Sequence, residues 1–162
     1  MGVKIKGGIS QFLTVFEQAE QIMVEEIHTG LAYLGEECVK QIRERTIDEG
    51  SWRDQTGNLR SSIGYAVLDH GAKVIESSFE TVKKGATGSM IGKKYVSDLA
   101  AQYADVYALI VVAGMDYAEA VEARGRDVLS GAQLHAEQRI GKVMKVYVGR
   151  AERRINALFK NL

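Results

Sequence analysis

Two long amphipathic patterns, one near each end of the sequence, limit the folds open to this chain. Proline is absent from all 162 residues, so no residue forbids a long uninterrupted helix. From Ser10 to about Ile47, apolar residues recur at three- and four-residue steps, which place them on one helical face. The first pattern therefore predicts a helix over 10–48, with Ser10 as a candidate N-terminal cap. The residues that form this pattern are Phe12, Val15, Phe16, Ala19, Ile22, Met23, Ile27, Leu31, Leu34, Cys38 and Ile42.

The second pattern predicts a helix over 130–161. Apolar residues from Leu134 to Phe159 repeat at the same helical spacing. Ser130 and Gln133 have the spacing of a capping box, in which each side chain bonds the backbone of the other. The sequence therefore indicates that this helix begins at Ser130.

The region between the helices, 60–115, is predicted to be rich in β-structure. Ile63, Tyr65 and Val67 alternate with small residues, the period expected of a half-buried strand. Residues Lys73–Phe79 are its predicted hairpin partner across a turn at residues 69–71. The run Leu109–Val112 is continuously aliphatic, which favours an inner strand buried on both faces. Residues 116–122 are expected to form a turn or short helix ending near Gly125.

These patterns predict an α+β fold in which long N-terminal and C-terminal helices pack on a small, mainly antiparallel sheet. A length of 162 residues suits one domain, over 1–162, with an N-terminal arm at 1–9. The stretch 83–94 is rich in lysine and glycine and is predicted to be a flexible loop. We expect it to act as an assembly loop that becomes ordered on a neighbouring subunit, through Lys83, Lys84, Lys93 and Lys94.

The two predicted helices carry opposite charge. Residues 10–50 have nine acidic and three basic side chains, a net charge of −6, whereas residues 130–162 have seven basic and two acidic, a net charge of +5. Three explanations stay open: antiparallel packing within one subunit, head-to-tail contact between subunits of a ring, and a basic stripe facing DNA phosphates. The candidate interface or DNA-channel residues are Arg139, Lys142, Lys145, Arg150, Arg153 and Arg154.

Composition and spacing argue against an enzyme. The histidines, His28, His70 and His135, fall in separate predicted elements without metal-ligand or catalytic spacing. Gly85–Ser89 is glycine-rich but lacks the Gly-Lys-Ser/Thr step of a phosphate loop. Cys38 is the single cysteine and is interpreted as a small buried apolar residue. We therefore predict no catalytic residues, no cofactor and no metal, and, from the short apolar run Ala108–Ala113, a soluble protein without membrane contact.

Two short motifs resemble the paired signature of the phage minor tail, or neck and tail-completion, family. The first is Asp54-Gln55-Thr56-Gly57-Asn58-Leu59-Arg60-Ser61-Ser62-Ile63, and the second is Asp116-Tyr117-Ala118-Glu119-Ala120-Val121-Glu122. In that family a long helix precedes the first motif, and the second motif precedes the C-terminal helix. The chain departs from the family at 127–130, where members commonly have a proline. The matched structural positions are Asp54, Thr56, Gly57, Asn58, Leu59, Arg60, Ser62, Ile63, Tyr117, Ala118, Val121, Glu122 and Gly125.

The resemblance implies a structural virion component of the phage neck or tail, assembled in the cytoplasm of the host bacterium. Its work would be head-tail joining through oligomeric protein contacts. The expected partners are other copies of itself in a ring, other neck and tail proteins, and passing DNA, which it would contact without reading the bases. An ion pair of Arg60 with Glu119 or Glu122 is one way to hold the two motifs together. Two other interpretations stay open: a helical adaptor that binds one basic protein, and a small DNA-binding protein that uses its last helix.

Overall fold

The predicted α+β architecture is confirmed in the computed structural model, which describes residues 8–160. Long helices at both ends pack on a three-stranded antiparallel sheet. The predicted N-terminal arm, 1–9, lies almost entirely outside the described residues. The elements are α1 (Ile9–Glu44), α2 (Asn58–Ser61), β1 (Ile63–Asp69), β2 (Ala72–Glu76), α3 (Ala86–Ala100), a 3-10 turn (Ala101–Tyr103), β3 (Tyr107–Ala113), α4 (Ala118–Ala123) and α5 (Ser130–Lys160).

Helices α1 and α5 pack side by side and run antiparallel. Near the start of α1, the Phe16 ring lies 5.6 Å from the Phe159 ring in an edge-to-face arrangement. Further along α1, the Cys38 thiol donates to the Ala132 carbonyl over 3.7 Å. Between these points a Cβ on Gly30 would lie 3.1 Å from the Tyr147 ring, so the small residue lets the helices approach closely.

The strand order is β2-β1-β3, which makes β1 the central strand and β3 an edge. The prediction of a half-buried β1 is wrong, because β1 is buried on both faces. Its Ile63, Tyr65 and Val67 join the core under α1 and α5, whereas Ala66 and Leu68 join a second core under α3. The prediction of an inner β3 is also wrong. Its apolar run is explained by the same two cores, which take alternate residues of β3.

The stretch predicted as a flexible loop, 83–94, is largely the first half of helix α3, so that prediction is wrong. Its small residues are used for close packing. A Cβ on Gly88 would lie 1.9 Å from the Asn58 carbonyl oxygen, and one on Gly92 would lie 2.5 Å from that of Ser62. Lys93 and Lys94 are exposed on the other side of the helix. The glycines therefore permit helix α3 to lie against the backbone of α2 and β1, where side chains would not fit.

The helix ends differ from those predicted. Helix α1 begins after Gly8 without a side-chain cap, and Ser10 lies inside the helix. It ends at Glu44, four residues early, because Arg45 takes an extended conformation and forms an ion pair with Asp127. At the start of α5 the capping box of Ser130 and Gln133 does not form. Carboxylates from the preceding loop and α4 accept the free backbone N–H groups there instead.

Candidate assembly site

The first motif folds into a tight corner at residues 54–61, between α1 and β1. The Asp54 carboxylate accepts a hydrogen bond from Gly57 N over 3.1 Å, and the Thr56 hydroxyl accepts one from Asn58 N over 3.3 Å. The Asn58 amide oxygen accepts from Gly88 N over 3.2 Å, which ties the corner to α3. Leu59 is buried in the main core. These contacts fix the direction of the chain at the corner.

Gly57 is required for this corner on two independent grounds. Its φ angle of +86° lies in the left-handed region that favours glycine. A Cβ at this position would also lie 2.1 Å from the Val82 carbonyl oxygen. The backbone of residues 82–84 is held there by hydrogen bonds of Val82 N to the Ser61 hydroxyl and of Lys84 N to the Thr56 carbonyl. The space beside Gly57 is therefore filled by backbone that cannot easily move.

Arg60 does not reach Glu119 or Glu122, so the predicted ion pair is wrong. Its guanidinium donates to the Arg43 carbonyl at the end of α1 and lies 3.5 Å from the Asp54 carboxylate. It also lies over the Trp52 ring, 4.7 Å from the centroid, an arrangement that attracts a cation to the face of the aromatic ring. Arg60 thus joins the end of α1 to the corner.

The two motifs nevertheless meet, through Tyr117. Burial raises the pKa of this tyrosine, and the nearby Asp54 and Asp116 carboxylates raise it further. Tyr117 therefore lies beside the corner that Asp54 closes. A second link is the hydrogen bond from Gly114 N to the Ser62 carbonyl over 3.1 Å. The resemblance paired these segments by sequence, and the fold brings them together.

The rest of the second motif supports the start of α5. Ala118 is buried, and Val121 packs against the main core. The Glu122 carboxylate accepts hydrogen bonds from Leu129 N (3.3 Å) and Ser130 N (2.8 Å). Gly125 ends α4 with a φ of +77°, in open space. Glu122 was predicted as a partner of Arg60, and its position instead stabilises the positive end of the α5 dipole.

Some of the opposite charges on the two long helices form ion pairs with each other within the subunit. Arg139 donates to the Glu37 carboxylate over 2.8 and 3.2 Å, and Arg154 lies 2.9 Å from both Glu25 and Glu26. The Arg139 hydrogen bond is the main reason why the pKa of Glu37 is lowered. The explanation by antiparallel packing therefore accounts for two of the six candidate interface residues.

The other four candidate cations on α5 have no acidic partner among residues 8–160. Lys142, Lys145, Arg150 and Arg153 are exposed, and none forms an ion pair within the described part of the chain. The Arg150 guanidinium lies over the Tyr147 ring, 4.5 Å from its centroid. These cations are available to a partner.

The lysines predicted as an assembly loop do not form one surface. The Lys83 ammonium donates to the Asp54 carbonyl and so belongs to the corner. Lys84 is exposed in the turn before α3. On α3, Lys94 forms an ion pair with Asp98 over 2.6 Å, and Lys93 is exposed.

The ends of the two long helices remote from the sheet form a stalk, defined here as residues 9–26 of α1 and 148–160 of α5. No residue of α1 before Gly30 is fully buried. Large apolar side chains are instead exposed, with 82% of Ile9, 58% of Leu13 and 59% of Phe16 accessible. Two helices alone cannot enclose an apolar seam, so the stalk presents an uncovered apolar face.

Sequence reasoning missed one cluster of titratable groups. Asp69, at the end of β1, lies 2.5 Å from His70 Nδ1 and 3.1 Å from His28 Nε2, and the His70 hydrogen bond lowers the pKa of Asp69. The Tyr107 ring packs edge-on against both imidazoles. The long separation of His28 from Asp69 in sequence hides this arrangement, which only the packing of α1 on β1 reveals.

Comparisons with protein-family models, with curated proteins and with solved structures find no match for this chain. Within residues 8–160, no group of three or more His, Cys, Asp or Glu side chains is placed to hold a metal ion. None of the helices described combines the length and the apolar character needed to cross a bilayer. What the described surface offers is therefore a corner built for shape, a cationic face on α5 and an uncovered apolar stalk.

Proposed function

We propose that this chain is a structural component of a tailed-phage virion, a neck or tail-completion protein that takes part in head-tail joining by oligomeric contacts. It acts by binding, first to copies of itself and then to other neck and tail proteins. Its localisation is the virion, after assembly in the bacterial cytoplasm.

One observation carries the proposal, the uncovered apolar face of the stalk. Exposed Leu13 and Phe16 lie on a rigid helix that projects away from the sheet. Covering such a face removes apolar surface from water and favours association by about 25 cal/mol for each Å² buried. A second copy offers the same apolar face together with unpaired cations on α5, which complement the excess of acids on α1. A ring of copies would satisfy both features.

The corner supports the choice of family. The two motifs that resemble the phage signature are remote in sequence, yet the Asp54 carboxylate is near enough to Tyr117 to raise its pKa, and Gly114 N donates to the Ser62 carbonyl. Such contacts give the motifs a common structural role, which is to hold the sheet, α2 and α4 in one shape. A protomer in a ring needs a fixed shape of this kind because errors in angle accumulate around the ring.

Light scattering of the purified chain tests the assembly. The wild type is expected to associate, and Leu13→Lys/Phe16→Lys to shift it strongly toward the monomer because charge is placed on the apolar face. Met90→Lys is the matched control, since Met90 is an equally exposed apolar residue on α3, away from the stalk. A wild type that stays monomeric both alone and with virion proteins would refute the proposal.

The place in the virion is tested by genetics in the phage that encodes the chain. Disruption of the gene is expected to give DNA-filled heads and separate tails that do not join, and addition of the purified protein should restore joined particles. Normal particles in the absence of the chain would exclude head-tail joining.

A second candidate function, binding of DNA without sequence preference, is favoured by the unpaired cations on α5. Its test is retardation of duplex DNA at low salt, which should weaken in Arg150→Gln/Arg153→Gln and at higher salt because released counterions drive such binding. The matched control is Lys93→Gln/Lys94→Gln on α3. No retardation at low salt would exclude this function. The remaining possibility, a helical adaptor for one basic protein, predicts a one-to-one complex in place of a ring.

A further inference from the structure

The outer edge of β3 is free. Gly114 N donates to the Ser62 carbonyl and His70 N to that of Val106. Since the direction of backbone groups alternates along a strand, the even-numbered residues of β3 face β1. Leu109, Val111 and Ala113 therefore direct their N–H and C=O groups away from the sheet. None of these groups bonds another backbone group among residues 8–160.

A groove runs along this edge, between α4 and the first turns of α5. It consists of two adjoining cavities of about 510 and 290 Å³. On the α5 side it is lined by the apolar Leu129, Ala132 and Ala136 and by the polar Gln133 and Glu137. On the α4 side it carries carboxylates, from Asp116, Glu119 and Glu122. No lysine or arginine is among the described residues that line it.

These features specify the chemistry of a ligand for the groove. Free N–H and C=O groups at a sheet edge pair with an extended peptide, which adds a strand. Successive side chains of that strand point to opposite faces. The groove offers both apolar side chains and carboxylates along the strand edge, so it suits a short strand that carries both apolar and cationic residues.

The chain contains such a segment outside the described residues, Val3-Lys4-Ile5-Lys6. In an added strand, Val3 and Ile5 would lie on one face and Lys4 and Lys6 on the other. Four residues are enough for a short edge strand. The segment thus carries both the apolar and the cationic residues that suit the groove.

The segment of the same copy cannot reach the groove. Gly35 of α1 lies at the level of Leu109, since a Cβ on Gly35 would be 3.0 Å from the Leu109 side chain. Gly35 is 26 residues beyond Ile9 in one continuous helix, a distance of about 39 Å at 1.5 Å per residue. A fully extended chain from Ile9 back to Val3 spans only about 22 Å. The donor must therefore be another copy.

We propose that Val3–Lys6 of one copy adds as an edge strand to β3 of a second copy, in the groove between α4 and α5. This inference rests on the self-assembly proposed above and names the residues that make one of its contacts. Apolar residues of the segment pack on Leu129 and Ala132, and its lysines lie toward Asp116 and Glu119.

Disulfide trapping between full-length chains tests this contact. One chain carries Ile5→Cys and the other Gln133→Cys, because Gln133 is an exposed residue that lines the groove. After oxidation, mass spectrometry of the cross-linked peptides should find the disulfide between positions 5 and 133. The matched control is Gln138→Cys, an exposed glutamine one and a half turns further along α5 that does not line the groove. It should give several-fold less product.

Amide hydrogen exchange of the full chain provides a second measurement that does not depend on added cysteines. In concentrated protein the amides of Leu109, Val111 and Ala113 should exchange roughly tenfold or more slowly than in dilute protein. Ile5→Pro, which removes a donor from the added strand, should abolish this dependence on concentration, whereas Ile5→Val should preserve it.

The outcomes separate this proposal from the proposed function. Association by light scattering without selective trapping at position 133 overturns the groove contact and leaves self-assembly standing. Absence of association overturns both. A disulfide within one chain carrying both cysteines, or trapping of Gln133→Cys only by a different virion protein, overturns donation by a second copy.

Discussion

Gly57 offers the sharpest test of the corner, because the structure provides a matched control for it. Gly57→Ala introduces a methyl group at a φ of +86° and 2.1 Å from the Val82 carbonyl oxygen. Gly125→Ala introduces the same group at a φ of +77°, with no other atom within 4 Å. The two variants share the backbone strain and differ in the clash. The difference between their free energies of unfolding therefore measures how firmly the corner is packed around Gly57.

The magnitudes follow from the contacts. A left-handed conformation costs a residue other than glycine about 1–2 kcal/mol, which is the expected loss of stability for Gly125→Ala. In Gly57→Ala the backbone at Val82 must also move, and it is held by Val82 N to Ser61 and Lys84 N to Thr56. Loss of two such hydrogen bonds adds about 1–3 kcal/mol. We expect Gly57→Ala to lower the free energy of unfolding by about 2–5 kcal/mol.

Thermal and urea unfolding, followed by circular dichroism, measure both variants. At about 2–4 °C per kcal/mol for a domain of this size, Tm should fall by roughly 10 °C in Gly57→Ala and by about 2–8 °C in Gly125→Ala. If the two variants agree within about 0.5 kcal/mol, the carbonyl of Val82 does not confine Gly57, and the account of the corner is wrong.

Three further predictions concern buried or paired side chains. Glu37→Gln should reduce stability at pH 7 by about 1 kcal/mol, since it weakens the charge-assisted bonds to Arg139. Because the pKa of Glu37 is lowered, this contribution to stability is present above about pH 4.5 and is lost as the pH falls below that value. The stabilities of the variant and the wild type should therefore converge in acid-unfolding curves. A difference that stays constant with pH would contradict this reasoning. Burial raises the pKa of the fully buried Cys38 to about 11, so a thiol reagent at pH 8 should label it only after unfolding, and fast labelling of the folded chain would refute its burial. Arg60→Lys should lower the free energy of unfolding by about 1–2 kcal/mol in urea, because lysine cannot both cover Trp52 and bond the Arg43 carbonyl, and an unchanged midpoint would count against these contacts.

The long helices and the hairpin were predictable because their periods are repeated over many residues, and repetition outweighs local exceptions. The central position of β1 in the sheet was not predictable, because its alternating small residues, Ser62, Gly64 and Ala66, resemble the solvent face of a half-buried strand. Those small residues are buried instead. A Cβ on Gly64 would lie 2.5 Å from the Phe79 ring, so small side chains make room for α3 and its flanking loop.

The first half of helix α3 was missed for the same physical reason. A glycine can serve either to give the backbone conformational freedom or to let another segment pack closely against it, and a single sequence does not show which of the two applies. Gly88 and Gly92 serve the second use, against the backbone of Asn58 and Ser62. Two partners of Arg60, the Arg43 carbonyl and the Trp52 ring, were unpredictable on different grounds, since neither carries a charge that would show in the sequence. The hydrogen bond from Gly114 N to the Ser62 carbonyl was unpredictable as well, because it joins two backbone groups.

The antiparallel pairing of α1 and α5 has a practical consequence. Because Phe16 meets Phe159, both ends of the described chain lie at the stalk end of the molecule. A purification tag or fluorescent protein fused at either end would thus crowd the same apolar face and could block association for trivial reasons. The exposed turn at Gly125, near the opposite end of α1 where Arg45 pairs with Asp127, is the better place for a label.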